Sequence, residues 1–315
     1  MKKISLYLGF ILFLVVIAGC DKVTNPYPPT SGGNGELDWN LYPDGDSAHY
    51  AQNKWPVFTA NANTFRNVLI EDFTGHTCNS CPAAATLAHT LETNNPNRVF
   101  TAAIHTGPTG MGPLQTIQLP DYPTNWTNPE GLEIGKYFGS IPGSAFQGNP
   151  RGTINRTNNG GQLTYHPSGW TSKVNSIISS NELKVNVQAH SNYFASTRGY
   201  FLHTELEILD ASLVANQLET VVYLIEDSII GDQKMGDNSH NATYVHREVM
   251  RGCIDGKAFG KTLSPANLST NGKYYLNYSY KLPTTYDPTN MHVLIYVYDK
   301  TTMEIYQVID HKIME

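Results

Sequence analysis

Hydrophobic positions along this chain keep three rhythms, and each predicts a different kind of element. From Ile4 to Ala18 they run almost unbroken. Between residues 67 and 105 they form a short apolar run, then a helical spacing, then a second run. Asn67 to Phe73 reads as a buried strand; Ala84, Leu87, Ala88 and Leu91 recur at i, i+3, i+4 and i+7, one face of a helix. Asn94, Asn95 and Pro96 stop that helix, and Val99 to His105 reads as a second buried strand. Arg151 to Asn155 predicts another strand, and Trp170, Val174, Ile177 and Ile178 one face of a later helix. From residue 182 the period drops to two. Lys184–Ala189, Tyr200–Leu209, Val221–Ile225, Tyr274–Tyr280, Met291–Tyr298 and Glu304–Ile309 alternate, separated by turn residues. The expected architecture is an α/β domain over residues 56–180, followed by an all-β sandwich of immunoglobulin-like size over residues 181–315.

The first rhythm is too short for a comfortable membrane span, which needs roughly 20 apolar residues. Lys2 and Lys3 precede it, and Ile17-Ala18-Gly19-Cys20 closes it, so residues 1–19 read as a signal peptide. The closing tetrapeptide resembles the lipobox of bacterial lipoproteins, which implies cleavage before Cys20 and lipid on its thiol. Pro26, Pro28, Pro29, Gly32, Gly33 and Gly35 follow, a composition that cannot pack a core. Residues 20–55 are therefore expected to be a tether, and the membrane a partner through that lipid.

Charge narrows the partners. The formal net charge is −6, and the signal peptide takes away two lysines and no acid. Nucleic acid binding needs a basic surface and is excluded as a class. Besides Cys20 there are three cysteines, Cys78, Cys81 and Cys253. Zinc would require two more ligands beside the C-x-x-C of Cys78 and Cys81. Cys253, His76 and His89 could be recruited, but no second paired spacing exists, so no metal and no other cofactor is expected.

An exported protein meets an oxidising compartment, so Cys78 and Cys81 should rest as a disulfide. They precede the predicted helix, where free N–H groups and the helix dipole stabilise a thiolate, the nucleophilic form. Cys78 would attack and Cys81, one turn on, would resolve. The same pair could instead be a structural staple closing the first helical turn. Strand, C-x-x-C, helix and strand in this order resemble the opening of thioredoxins. That resemblance implies a buried carboxylate six positions before the first cysteine, matched by Asp72, and a cis-proline facing the pair, matched by Pro150. His76 and His105 flank the presumed site. Thr77 stands where thioredoxins carry tryptophan, the intervening dipeptide is Asn79-Ser80, and residues 106–128 form a long Gly/Pro-rich stretch able to lie over the site.

Three further runs widen the resemblance: Val68 to Cys78, Pro150 to Arg156, and Tyr244 to Arg251. In this order they are similar to the twenty-eight-kilodalton outer-membrane protein family of exported Gram-negative lipoproteins. The resemblance implies an outer-membrane location and a thioredoxin-like domain followed by a β-sandwich. Two functions follow: a surface or envelope binding and adhesion protein with an unknown protein ligand, or a thiol–disulfide oxidoreductase using Cys78 and Cys81. Tyr244, His246 and Arg247 read as a domain-interface or strand-edge network rather than a catalytic set.

Overall fold

A computed structural model describes residues 37–158 and 160–314. Cys20, the signal peptide and the first part of the expected tether lie outside the described residues. In chain order the elements are α1 (Ser47–Asn53), β1 (Val68–Thr74), α2 (Cys81–Asn94), β2 (Val99–His105), α3 (Pro129–Ser140), β3 (Arg151–Ile154), α4 (Trp170–Ser180), β4 (Val185–Phe194), β5 (Gly199–Ile208), β6 (Leu218–Glu226), β7 (Ile229–Lys234), β8 (His240–His246), β9 (Val249–Cys253), β10 (Lys261–Thr262), β11 (Tyr274–Lys281), β12 (Met291–Asp299) and β13 (Ile305–Lys312).

One large mixed sheet runs through the molecule in the order β13-β12-β6-β9-β2-β1-β3, with β10 added beside β6. β1 and β2 are parallel, as the intervening α2 requires, and β3 returns antiparallel on the far side of β1. The alternation of side chains sorts the two faces of the sheet. Val68 and Ile70 of β1 pack under α2 and α4, with Ala84, Leu91, Trp170 and Val174. Leu69 and Phe73 point the other way, onto Ile134 and Phe138 of α3. Farther along, Val293, Ile295 and Val297 of β12 meet a three-stranded sheet of order β11-β5-β4. Tyr296 and Tyr298 of the same strand join the α3 side.

This arrangement differs from two bodies joined in series. The expected boundary at residues 180/181 falls between α4 and β4, but the sheet does not end there. β9 pairs with β2 through Ala103↔Val249 and with β6 on its other side, so strands of both halves share one ladder. Of the strands in the residues expected to form a separate sandwich, β4, β5 and β11 make a three-stranded sheet, whereas β6, β9, β12 and β13 belong to the sheet that also holds β1, β2 and β3. Burial gives the reason: the core on the α3 side draws Leu69, Phe73 and Ile104 together with Tyr223, Met250 and Leu294.

The tether expected to reach residue 55 is also corrected. From Leu37 the chain is packed: Leu37, Leu41, Tyr42 and Tyr50 form a small aromatic-rich core with Phe201 of β5. Asp46 caps α1 by accepting from the N–H groups of Ala48 and His49. Aromatic residues, absent from the Pro/Gly stretch before residue 36 except for Tyr27, supply this anchoring.

Candidate functional site

α2 begins at Cys81, with Ser80 as its N-cap and Pro82 in its first turn, where a missing N–H costs no bond. Cys78 lies in the preceding turn rather than in the helix. The two cysteines form a disulfide with their Cα atoms 5.4 Å apart. Both are buried, at 3% and 1% exposure.

What buries them comes from both halves of the chain. The 106–128 segment lies against the turn: Thr77 N–H donates to Leu114 O (3.2 Å), and Gln115 Nε2 donates to Thr74 O (2.8 Å). Gly75 permits this approach, because a Cβ there would collide with the Leu114 carbonyl. From the other side comes a two-stranded hairpin, β7–β8. Gln233 Nε2 donates to Cys78 O (3.1 Å), Lys234 N–H donates to His76 O (2.8 Å), and Asn79 Nδ2 donates to Asn238 Oδ1 (3.1 Å). The loop expected to overlie the site does so, and the β7–β8 hairpin, which the sequence did not predict, completes the cover.

Asp72, near the end of β1, is fully buried, and its Oδ1 has no hydrogen-bond partner. Burial pushes its carboxyl up to about 7. It shares a cavity of about 20 Å³ with Cys81, His105, Tyr244 and His246, space for a single water. Tyr244, His246 and Arg247 thus come to the junction of the two halves, as the sequence suggested, and next to the sulfurs, which it did not suggest.

His105 is buried at the end of β2, stacked on Trp126 and 5.8 Å from the His246 ring. Burial, with His246, His76 and Arg251 nearby, holds it well below its usual range. His246 is held at about 4, chiefly by burial. The His76 ring lies between Tyr122 (6.1 Å) and His105 (6.5 Å), and neither of its ring nitrogens has a hydrogen-bond partner. Burial lowers it too, against the pull of Asp232. Among the described residues no group of three His, Cys, Asp or Glu side chains is placed to hold a metal ion.

Pro150 follows a cis peptide bond from Asn149 and enters β3. It borders a groove of about 560 Å³ between the first turn of α2 (Ser80, Ala83) and the segments at Ala145–Arg151 and His166–Pro167. Ser80 and Ala83 are exposed on its wall. The structure therefore places Cys78, Cys81, Asp72 and His105 together in the covered layer, Pro150 at the open groove beside it, and His76 behind the cover. Nothing in the sequence pattern marked Ser80, Ala83, Arg151 or His166 as one wall, since the loops that bring them together have no periodicity.

The chain was compared with known proteins. The family profile described as outer membrane protein Omp28 matches residues 144–315. No curated protein sequence matches. Among solved structures, HBP35 of Porphyromonas gingivalis shares the fold with a TM-score of 0.59 at 15% identity, over 80% of this chain and 77% of that one. A domain of the outer membrane lipoprotein Omp28 from Porphyromonas gingivalis aligns at 23% identity and a TM-score of 0.29, over 42% of this chain and 89% of its own. A protein of Agrobacterium tumefaciens aligns at 11% identity and a TM-score of 0.45, over 79% and 96% of the two chains.

Proposed function

This chain belongs to the outer membrane protein Omp28 family, and from that premise we propose that it is a ligand-binding protein of the outer membrane, held there by lipid on Cys20, that uses the groove beside Pro150. The outer membrane is its location. Among the described residues no helix is long and apolar enough to cross a membrane, which agrees with attachment by lipid. The first half is read as thioredoxin-like, on the order of β1, α2 and β2 and the places of Asp72 and Pro150. The second half is read as a sandwich of immunoglobulin-like size that shares a sheet with it.

One observation carries the binding reading: the groove is open while the sulfurs beside it are shut in. A reacting disulfide must admit an incoming sulfur, and here both cysteines are buried beside the 106–128 segment and the β7–β8 hairpin. The Cys78–Cys81 bond then acts as a staple within the covered turn and is not itself part of the groove lining. The test uses cells. Ala83→Trp fills the groove from an exposed position and should reproduce the phenotype of a deletion strain, in attachment or envelope integrity. Cys78→Ser/Cys81→Ser should retain normal behaviour. The reverse pattern would sink the binding reading.

A second reading, thiol–disulfide exchange, is favoured by Asp72. In it the hairpin lifts and a partner thiolate attacks Cys78 Sγ, forming a mixed disulfide and releasing Cys81 as thiolate. The Asp72 carboxyl, protonated below about 7, gives Cys81 its proton through the single-water cavity. A second thiolate of the partner then attacks the partner's own sulfur in the mixed disulfide and releases Cys78 as thiolate, so the partner leaves oxidised to a disulfide and Cys78 and Cys81 are left reduced.

A further inference from the structure

Arg151 opens β3 at the wall of the groove, half-buried, and among the described residues no carboxylate pairs with it. Its one polar contact is marginal, from Nε to Thr164 Oγ1 at 3.5 Å. Among the described residues the other six arginines each reach a carboxylate or a carbonyl within 3.6 Å: Arg66, Arg156, Arg247 and Arg251 meet carboxylates, and Arg98 and Arg198 carbonyls. Burial lowers Arg151 from its ordinary value, with no neighbouring acid to offset it. A guanidinium partly stripped of water and left without an anion is an unfilled site for one, since its fork matches a carboxylate in two parallel bonds.

The rest of the wall agrees. No Asp or Glu lines the groove, so nothing there repels an anion. Ser80, Gln147 and Asn149 offer neutral hydrogen-bonding groups suited to amides, and Ala83 and Gly148 are small enough to let a main chain come close. The volume of about 560 Å³ suits a few residues of extended chain. On a chain whose own net charge is −6, one local cation in an acid-free groove selects where an acidic ligand can settle.

We propose that the groove takes an extended acidic segment of a partner protein, with an Asp or Glu carboxylate seated on the Arg151 guanidinium. The proposal rests on the binding reading above and adds the chemistry of the ligand. It is tested with the full mature chain on an array of random octapeptides. Bound peptides should be enriched several-fold in Asp and Glu. Arg151→Gln should abolish that enrichment and weaken the selected peptides tenfold or more. Arg151→Lys should keep the acidic preference, and Ala83→Trp should remove binding of every selected peptide. Peptides that need the open groove but show no acidic preference, or bind Arg151→Gln equally well, would overturn the ligand class while leaving the groove as a site. Absence of any binding that Ala83→Trp blocks would overturn both.

Discussion

Burial alters the chemistry of Asp72, whose position beside the cysteines gives the shift its interest. Its carboxyl titrates near 7 because burial disfavours the charged form and no hydrogen bond offsets that cost at Oδ1. The folded chain therefore holds this proton more tightly than the unfolded chain, whose Asp titrates near 3.8. Between those two values the folded state binds more protons, so the Asp72 contribution to stability falls as pH rises through the window and stays lost above it. Asp72→Asn removes the slope. Urea unfolding at pH 5 and pH 8 should show the variant gaining on the natural chain at the higher pH, by on the order of 3 kcal/mol at about 1.4 kcal/mol per unit. An equal difference at both pH values would mean that Asp72 is ionised and solvated in the folded protein. The position of Asp72, six before Cys78, was legible in the sequence. Its isolation was not, because His105 reaches it from β2 and Tyr244 and His246 from β8, two other places in the chain.

Among the elements, α3 shows why a helix can escape sequence reading. Asn128 caps it, accepting from Gly131 N–H, and Pro129 and Glu130 begin it, a start signal of the usual kind. Gly131, Gly135 and Gly139 then repeat every fourth residue and lower the helix propensity by about 1 kcal/mol each relative to alanine. Contact explains them. A Cβ at Gly135 would strike the Thr106 side chain, and one at Gly139 the Pro108 carbonyl. The glycines let α3 lie directly on the 106–110 segment, which in turn supports the loop over the disulfide. Gly139→Ala should therefore destabilise the protein by about 1–3 kcal/mol by overpacking, despite alanine's better propensity. A gain in thermal midpoint would show that the close approach is unnecessary. The β7–β8 hairpin escaped for another reason: its outward residues Ile230 and Val245 are apolar and exposed, so polarity alternates weakly along it.

Across the whole molecule, the two halves are tied by more than a shared sheet. Glu71 of β1 and Arg156 after β3 are fully buried and joined by two bonds of 2.8 and 2.6 Å. Burial alone would raise the Glu71 carboxyl, but Arg156, with Thr153 and Tyr223, holds it below the usual range. Tyr223 of β6 donates to Glu71 (2.7 Å), and Arg156 donates to Tyr296 of β12 (2.8 Å), so this polar core spans both halves. Arg156→Met leaves a buried, uncompensated carboxylate and should cost about 3–5 kcal/mol, whereas Glu71→Leu/Arg156→Met should recover much of it. Equal denaturant midpoints for single and double variants would contradict that account. Six strands of the second half, β4, β5, β6, β11, β12 and β13, were legible as alternating runs; the ladder joining them to the first half was not, because Val249–Cys253 is short and its pairing with β2 rests on a single register position. The same whole-molecule cover is the basis for reading the disulfide as a staple rather than an exchange site. The most direct test is to equilibrate the intact mature protein in graded thiol–disulfide buffers, trap it by alkylation, and count modified cysteines by mass. A stapled, covered disulfide should stay oxidised to below about −300 mV, and Cys253 should react only after unfolding. A midpoint between roughly −120 and −270 mV would contradict the account and make exchange the function of the site.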